Sequence, residues 1–589
     1  MPGKCSQFGK DGEGNMTEKT IFIDNKEVRT DKEMLIDAIK DIGIKIPSLC
    51  HHPDLKPWAV CRLCVVEADG KIITSCNTPV REGMKILTHN ERVLNERKIN
   101  LKLILANHPF ACESCIRNGY CELEKLAEEM NVKKEEIQGE TRNLKADYSS
   151  LSIVREPNKC ILCNRCVEAC DKQHVSILEY TNRGFKTIIT PAFNNILSNT
   201  PCVSCGQCAL HCPVASITER DQTMEVMHAV NDSTKHVVVQ IAPAIRVSVG
   251  ESLGLEPGTV LTGKLVTALK MLGFDAVLDT ATGADLTTME EAHEFIERLK
   301  NKEKEKLPLI TSCCPGWVNY CEFFQHDFIK NMSTCKSPHI MLGSLIKTYY
   351  AKEKGIDPKN IVVVSIMPCT AKKNECNRVE MKNDLMKNVD YVLTTRELAS
   401  MLKMTGIKID QLQESAFDNP IETASSAGTL FGATGGVAES VLRTAGFMIT
   451  GKKLKKLEFE SLRGMEGTKI AEAELDGKKI KLAIVHGLGR ADDLLKKVRS
   501  GEIKVDIIEV MACYGGCIGG GGQPIPTTKE LIQKRMDAIY KIDSDSKLRT
   551  SYENPNIISI YEKFLKEPGS EISHNYMHTK YFTRDPYNP

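Results

Sequence analysis

Apolar and polar positions alternate in two textures along the chain. From Thr20, TIFIDNKEV alternates on either side of an Asp-Asn pair, which predicts two short strands and a turn. The next stretch puts Met34, Leu35, Ala38, Ile39 and Ile42 on one face and predicts a helix. Residues 92–150 predict charged, largely helical structure, with the Lys- and Glu-rich stretch Leu126–Lys145 as a solvated helix and connector. After about Lys235, apolar strand-like runs alternate with helical patterns, the grammar of α/β structure. Val237–Ala242, Pro308–Ile310, Ile361–Ile366, Ile480–Val485 and Val505–Val510 are the predicted strands. Thr287–Leu299 predicts a helix whose Thr287-x-x-Glu290 start fits a capping box. Three of the strands run into cysteines: Cys313 and Cys314, Cys369, and Cys513. Ligands of parallel α/β structures gather at the carboxyl ends of strands, so these segments are expected to converge on one site.

The 589 residues exceed one hydrophobic core and predict several domains. With 78 Lys+Arg against 77 Asp+Glu, no broad basic field favours nucleic acid or an anionic membrane. Met1 to Asn15 is polar and Gly-rich without an apolar core, which reads as a mobile tail rather than a secretory signal. The most apolar runs are far shorter than the roughly 18–20 residues that span a bilayer. A cytoplasmic protein is expected, and there 24 cysteines in clusters read as thiolate ligands to metal rather than disulfides.

Cys50-x10-Cys61-x2-Cys64-x11-Cys76 has the spread of a plant-type [2Fe–2S] loop, although four thiolates could also hold zinc. His108-x3-Cys112-x2-Cys115-x5-Cys121 offers one imidazole and three thiolates, for a cluster or again for zinc. An imidazole in place of a thiolate removes negative charge and raises a cluster's potential. Cys160-x2-Cys163-x2-Cys166-x3-Cys170 and Cys202-x2-Cys205-x2-Cys208-x3-Cys212-Pro213 are an internal repeat of the bacterial two-cluster ferredoxin type. The fourth Cys of each such run serves the other cluster, which pairs Cys212 with the first trio and Cys170 with the second. Four clusters in series would make an electron wire.

Three further segments carry chemistry: Thr311-Ser-Cys-Cys-Pro-Gly-Trp317, Met367-Pro-Cys-Thr-Ala-Lys-Lys-Asn-Glu375, and Glu509 to Pro524 with its Cys513, Cys517 and Gly519–Gly522 run. With them the sequence resembles the [FeFe]-hydrogenases, from about residue 20 to its end. The resemblance implies that Cys314, Cys369, Cys513 and Cys517 hold a [4Fe–4S] cubane, with Cys517 bridging to a two-iron subcluster bearing CO, cyanide and an azadithiolate. Together these form the H-cluster. It further implies that Lys372 and the Ala242-Pro243 backbone lie near the cyanides, that Met367, Pro368, Met511 and Phe431 pack around them, and that His339 stands near the two-iron site. Thiolates suit soft iron–sulfur centres, and the glycine run permits close backbone approach. That run lacks the Gly-Lys-Ser/Thr ending of a phosphate loop, and Phe431-Gly-Ala-Thr-Gly-Gly436 matches one only loosely, so neither reads as a nucleotide site.

The resemblance also implies a proton route from Cys313 through Glu291, Ser333, Glu294 and Arg298, of which Glu291, Glu294 and Arg298 share a helix face by spacing. On spacing alone, Glu294 with Arg298 is a plain surface pair. Ala244 and His339 depart from the Ser and Gln usual in ferredoxin-linked clostridial members, changing hydrogen bonds that tune potential and catalytic bias. They and Met577-His-Thr-Lys-Tyr581 resemble catalytic subunits of NAD(P)-linked, electron-bifurcating hydrogenases. The implied partners are ferredoxin, a flavin- and NAD(P)-binding subunit, a small [2Fe–2S] subunit and maturation enzymes, with H2 and protons as substrates. A stand-alone ferredoxin hydrogenase is the alternative. A complex-I-like subunit would need a molybdopterin-type remainder, a sensory relative a signalling domain, and an assembly relative would lack the full H-cluster environment.

The expected fold is multidomain α+β and α/β. It comprises a tail at 1–17, a β-grasp [2Fe–2S] ferredoxin domain at 18–95, a small helical domain with the histidine-ligated [4Fe–4S] cluster at 96–150, a two-cluster ferredoxin domain at 151–232 and an H-cluster domain with parallel sheets at 233–589. Cys5, Cys321, Cys335 and Cys376 remain as tail or packing thiols.

Overall fold

The computed structural model describes residues 18–109, 111–133, 139–300, 304–383, 386–454, 456–475 and 477–587. The expected tail at 1–17, with Cys5, lies outside them. The chain divides into two compact units: residues 1–143, 158–164 and 213–215 form one, and the remainder forms the other.

In the first unit, Lys19–Ile23 and Lys26–Thr30 pair antiparallel about Asp24 and Asn25, both in the left-handed region. Asn and Asp tolerate that conformation better than other side chains, which is why this pair makes the turn. Lys85–Leu87 runs parallel to the first strand and joins it to Val65–Ala68 and Lys71–Thr74 in a five-stranded sheet. The helix Leu35–Asp41 packs Leu35, Ala38 and Ile39 on that sheet; Ile42 ends the helix and is half exposed. Helices at Glu91–Leu105 and Glu122–Glu129 follow. The helix Glu122–Glu129 ends inside the stretch Leu126–Lys145, where Met130 caps it and Asn131 adopts a left-handed conformation; residues 134–138 of that expected helix and connector lie outside the described residues.

The second unit contains two four-stranded sheets. In one, Ala276–Asp279, His236–Ile241, Ile361–Met367 and Tyr391–Thr394 are all parallel. In the other, Leu309–Ile310, Ile507–Met511 and Lys478–His486 are parallel, and Thr468–Leu475 closes the edge antiparallel. Central strands buried on both faces read as continuous Val/Ile runs, which makes them visible in sequence. Ala242, Pro308 and Val505 fall just outside the strands.

The helix expected at Thr287–Leu299 runs from Thr280 to Lys300, so Thr287 is interior and no capping box forms. Its hydroxyl donates instead to the Gly283 carbonyl (3.0 Å) and Glu290 turns to the C-terminal segment. The first two turns escape periodicity because small residues there allow close packing: a Cβ on Gly283 would lie 2.2 Å from the Pro338 carbonyl. Among the described residues no helix is long and apolar enough to cross a membrane.

Candidate functional site

The carboxyl ends of strands from both sheets open onto one cavity. Cys313 and Cys314 reach it from the loop after Leu309–Ile310, Cys369 from the loop after Ile361–Met367, and Cys513 and Cys517 from the loop after Ile507–Met511. Ala242 and Pro243 follow the strand His236–Ile241, and Met367, Pro368, Met511, Phe431, His339 and Lys372 complete the lining predicted from sequence. Gly432, of the segment Phe431–Gly436, lines it too, whereas sequence reasoning missed Thr280, Ala284 and Pro338, which also line it. Ala284 and Thr280 belong to the helix start that periodicity does not reveal.

The donor set fits a soft metal cluster. Burial raises the Cys369 and Cys517 thiols to about 12 and Cys513 well above its ordinary value, and the neighbouring cysteines add to each shift. Thiols crowded this way repel one another as thiolates, so cationic iron would stabilise what the bare protein disfavours. Cys314 stands at the N-cap of the helix Pro315–Phe324, and the Ala512 N–H donates to its Sγ at 3.4 Å.

Lys372 Nζ donates to the Cys313 carbonyl (3.1 Å) and to Glu375 Oε2 (2.9 Å). Burial opposes its ammonium, but the Glu375 charge outweighs burial and raises its pKa. Burial, with Lys372 beside it, lowers His339 to about 4, so the ring is neutral, its Nε2–H donating to the same Glu375 oxygen at 2.8 Å. Glu375 closes one of the three cysteine-bearing segments, yet nothing in its spacing reveals that it joins these two residues.

On the other side, Glu291, Glu294 and Arg298 share one face of the helix Thr280–Lys300. Burial raises Glu291 to about 8, with the Ser333 hydroxyl pulling the other way, and Glu291 Oε2 has no partner. Burial pushes Cys313 well above its ordinary value, with the Glu291 charge next. Ser333 Oγ donates to Glu294 Oε2 at 3.0 Å, and Arg298 donates to Glu294 Oε1 at 2.6 Å. Arg298 is buried, so this is not the plain surface pair that spacing allows.

In the first unit Cys50, Cys61, Cys64 and Cys76 are all buried, and Cys50 is within hydrogen-bonding reach of Cys61 and Cys76. His108, Cys112, Cys115 and Cys121 line a second small cavity. There His108 Nδ1 meets the Pro109 carbonyl at 3.0 Å while its buried Nε2 has no partner, the arrangement of an imidazole offered to a metal. In the second unit Cys170 shares a cavity with Cys202, Cys205 and Cys208, the set paired from the run spacing. Cys160 and Cys163 belong to the first unit, Cys166 and Cys212 to the second. The repeat extends to the backbone: Leu162 and Ser204, and Asn164 and Gly206, occupy equivalent places in the two runs and are all left-handed. Such turns aim consecutive N–H groups inward and suit an anionic cluster.

The glycine run after Cys517 approaches protein backbone closely: a Cβ on Gly520 would lie 2.1 Å from the Pro368 carbonyl, and one on Gly521 2.3 Å from the Cys205 carbonyl. Thr370 Oγ1 donates to the Ser204 carbonyl (2.7 Å), and Gln207 Nε2 to the Gly519 carbonyl (3.3 Å). The second ferredoxin run and the catalytic cavity are therefore in direct contact. Cys321, Cys335 and Cys376 are buried, as packing thiols should be.

Known proteins carry the same parts. Residues 235–521 match the model for the C-terminal domain of the iron only hydrogenase large subunit, and residues 529–584 that for the iron hydrogenase small subunit. Residues 17–91 match a 2Fe-2S iron-sulfur cluster binding domain, 97–136 the NADH-ubiquinone oxidoreductase-G iron-sulfur binding region, and 159–216 a 4Fe-4S dicluster domain. The chain is 44% identical to an NADP-reducing hydrogenase subunit of Solidesulfovibrio fructosivorans, over 97% of this chain and all of that one. It is 37% identical to iron hydrogenase 1 of Clostridium pasteurianum, over 96% of this chain and all of that one. A solved [FeFe]-hydrogenase of Chlamydomonas reinhardtii, 41% identical, superposes with a TM-score of 0.56, covering 62% of this chain and all of the other. With the three cysteine segments gathered on one cavity and iron–sulfur domains preceding them, the chain belongs to the [FeFe]-hydrogenase family, as a catalytic large subunit.

Proposed function

We propose that this chain is the hydrogen-converting subunit of a cytoplasmic, NAD(P)-linked, electron-bifurcating complex, performing 2 H+ + 2 e− ⇌ H2. The observation that carries the reaction is the single cavity bearing Cys313, Cys314, Cys369, Cys513 and Cys517. When bound, the H-cluster supplies the iron redox centre for that reaction. Cys314, Cys369, Cys513 and Cys517 would hold it, Lys372 and the Ala242-Pro243 backbone would face its cyanides, and Met367, Pro368, Met511 and Phe431 would keep water from it. Cys313 and Glu291 exchange protons with the cavity, and Ser333 and Glu294 carry them onward. A buried acid raised to about 8 can both take and give a proton near neutral pH.

Electrons would arrive through a [2Fe–2S] cluster on Cys50, Cys61, Cys64 and Cys76, and a [4Fe–4S] cluster on His108, Cys112, Cys115 and Cys121. Two more would sit on Cys160, Cys163, Cys166 and Cys212, and on Cys170, Cys202, Cys205 and Cys208. Contact between the Cys205 loop and the glycine run supports the last of these as the donor to the catalytic centre.

The full-length match to an NADP-reducing hydrogenase subunit supports partnership with a flavin- and NAD(P)-binding subunit and a small [2Fe–2S] subunit, with ferredoxin as low-potential partner. Ala244 and His339 at the cavity support the same reading over a stand-alone ferredoxin hydrogenase. Purification from the native host tests it: flavoprotein subunits should co-purify, and H2 formation should require NAD(P)H together with reduced ferredoxin. Full activity of the isolated chain with reduced ferredoxin alone would favour the stand-alone enzyme.

A further inference from the structure

The proton route just proposed ends at Glu294, and the guanidinium of Arg298 beside it cannot relay a proton. Arg298 also donates to the Lys306, Asn331 and Met332 carbonyls, at 2.8–2.9 Å, besides Glu294. It fixes Glu294 in place. A group that can change protonation is still needed beyond it.

The C-terminal segment brings one. Atoms of Glu294, Cys335 and His578 lie within 4.8 Å of one another. His578 Nδ1 lies 2.8 Å from Thr334 Oγ1, and its Nε2 lies 3.0 Å from Glu290 Oε2. The Thr334 N–H in turn donates to Glu294 Oε2 at 3.0 Å. The His578 ring packs at 4.4 Å against that of His574, which is exposed. Two other nearby groups are unsuited to carry protons. Burial holds the Cys335 thiol protonated. Burial opposes ionisation of Glu290, but His578, Ser573 and Tyr561 outweigh it and keep Glu290 a carboxylate. Glu290 also accepts from Tyr561 (2.5 Å), Ser573 (2.5 Å) and the Gly569 N–H (2.9 Å), so it is saturated and orients the ring beside it.

We propose, on that reading of the route, that His578 is the proton carrier following Glu294 toward solvent, with Glu290 as its positioning residue. One water with two hydrogen bonds of about 2.8 Å spans the separation from Glu294. Nδ1 both takes the proton and passes it to a water on the solvent side, while Nε2–H stays on Glu290, so the imidazole ends neutral and Glu290 stays ionised throughout. The titratable groups around the paired His578 and His574 rings include Glu290, Glu294 and His293 of the long helix and Cys335, with Tyr561 bonded to Glu290.

The test compares His578→Gln, His578→Ala and Glu291→Gln in the assembled holoenzyme. The His578 variants should lose about tenfold or more in H2 turnover, show a larger solvent deuterium isotope effect, and recover in His578→Ala on adding imidazole. Melting temperature and the CO and cyanide infrared bands should stay as in the parent. In the chain before the two-iron subcluster is installed, the carboxylic-acid infrared band of Glu294 should titrate with a shifted midpoint in His578→Gln. Unchanged turnover and titration in the His578 variants, with Glu291→Gln inactive, would overturn the assignment of His578 alone. A loss that imidazole does not restore and that comes with a lower melting temperature would overturn it too, as a structural effect. Full activity of Glu291→Gln would overturn the route on which it rests.

Discussion

Lys372 and Glu375 form a buried ion pair, Nζ to Oε2 at 2.9 Å, one helical turn beyond Cys369. Removing one partner leaves the other charge without compensation in a low-dielectric interior, a loss of about 3–5 kcal/mol. Glu375→Gln should therefore lower the melting temperature markedly, and because Lys372 and His339 then face a neutral amide in place of the carboxylate they share, the cyanide infrared bands of the loaded enzyme should shift. Thermal unfolding and infrared spectra check both; a variant stable to within about 1 kcal/mol, with parental bands, would mean that the pair is not what fixes Lys372.

Cys313→Ser and Glu291→Ala should reduce H2 turnover by about 10²–10⁴-fold, the range for loss of a positioned proton carrier. The electron paramagnetic resonance and infrared signatures of the clusters should survive, since neither residue belongs to the proposed ligand set. Parental turnover in either variant would remove that residue from the route.

A pH effect on stability is expected at Asp543. Burial opposes its charge, but Arg443 and Arg549 outweigh burial and hold its carboxyl below the usual range. Contacts run from Arg549 at 2.7 Å, Arg443 at 2.9 Å and Arg463 at 3.0 Å. A depressed carboxyl adds stability above its unfolded pKa of about 4, and that stability drains away as pH falls toward the folded value. Asp543→Asn should thus be destabilised at pH 7 and show a flatter decline between pH 5 and 3 than the parent, measured by unfolding at a series of pH values.

Gly520→Ala would set a methyl against the Pro368 carbonyl, which belongs to the strand-end loop and has little room to give. Overpacking of this kind costs about 1–3 kcal/mol and displaces Cys517, three residues away. Iron content should fall in the purified variant, whereas the same substitution at Gly477, strained by its left-handed backbone but far in sequence from any cysteine, should leave iron content unchanged.

His108→Cys should keep a cluster but lower its potential, because a thiolate returns the negative charge that the imidazole lacks. Redox titration followed by electron paramagnetic resonance would read the shift. A bound zinc ion and no redox signal from this cavity would show instead that it is a zinc site.

Much of the site is legible in sequence because strong local signals agree with the fold. Apolar runs that stop shortly before a cysteine announce the buried parallel strands whose loops carry Cys313, Cys369 and Cys513 to the cavity, and the repeated Cys spacing carries its own backbone turns at Leu162 and Ser204. What stays hidden needs three dimensions. The turns Thr280–Leu286 look loop-like in sequence because their small residues serve close packing against Pro338, a demand set by a distant helix. Glu290 and His578 stand 288 residues apart, and no periodicity links a helix carboxylate to a C-terminal imidazole. In sequence the glycine run reads as permitting close backbone approach, but not which backbone: Gly519, Gly520 and Gly521 lie against the carbonyls of Tyr514, Pro368 and Cys205.

The C-terminal segment has a consequence for the order of synthesis. The Lys336 N–H bonds the Met577 carbonyl and the Thr579 N–H bonds the Thr334 carbonyl, each at 2.8 Å, so residues 577–579 form the outer edge of the segment that follows Ser333. Every cysteine of the chain leaves the ribosome before that edge exists. A nascent chain can gather its thiols early, yet Ser333 and Glu294 gain their final support only when translation has passed Thr579. Translation order thus separates the gathering of thiols from completion of the proposed proton path.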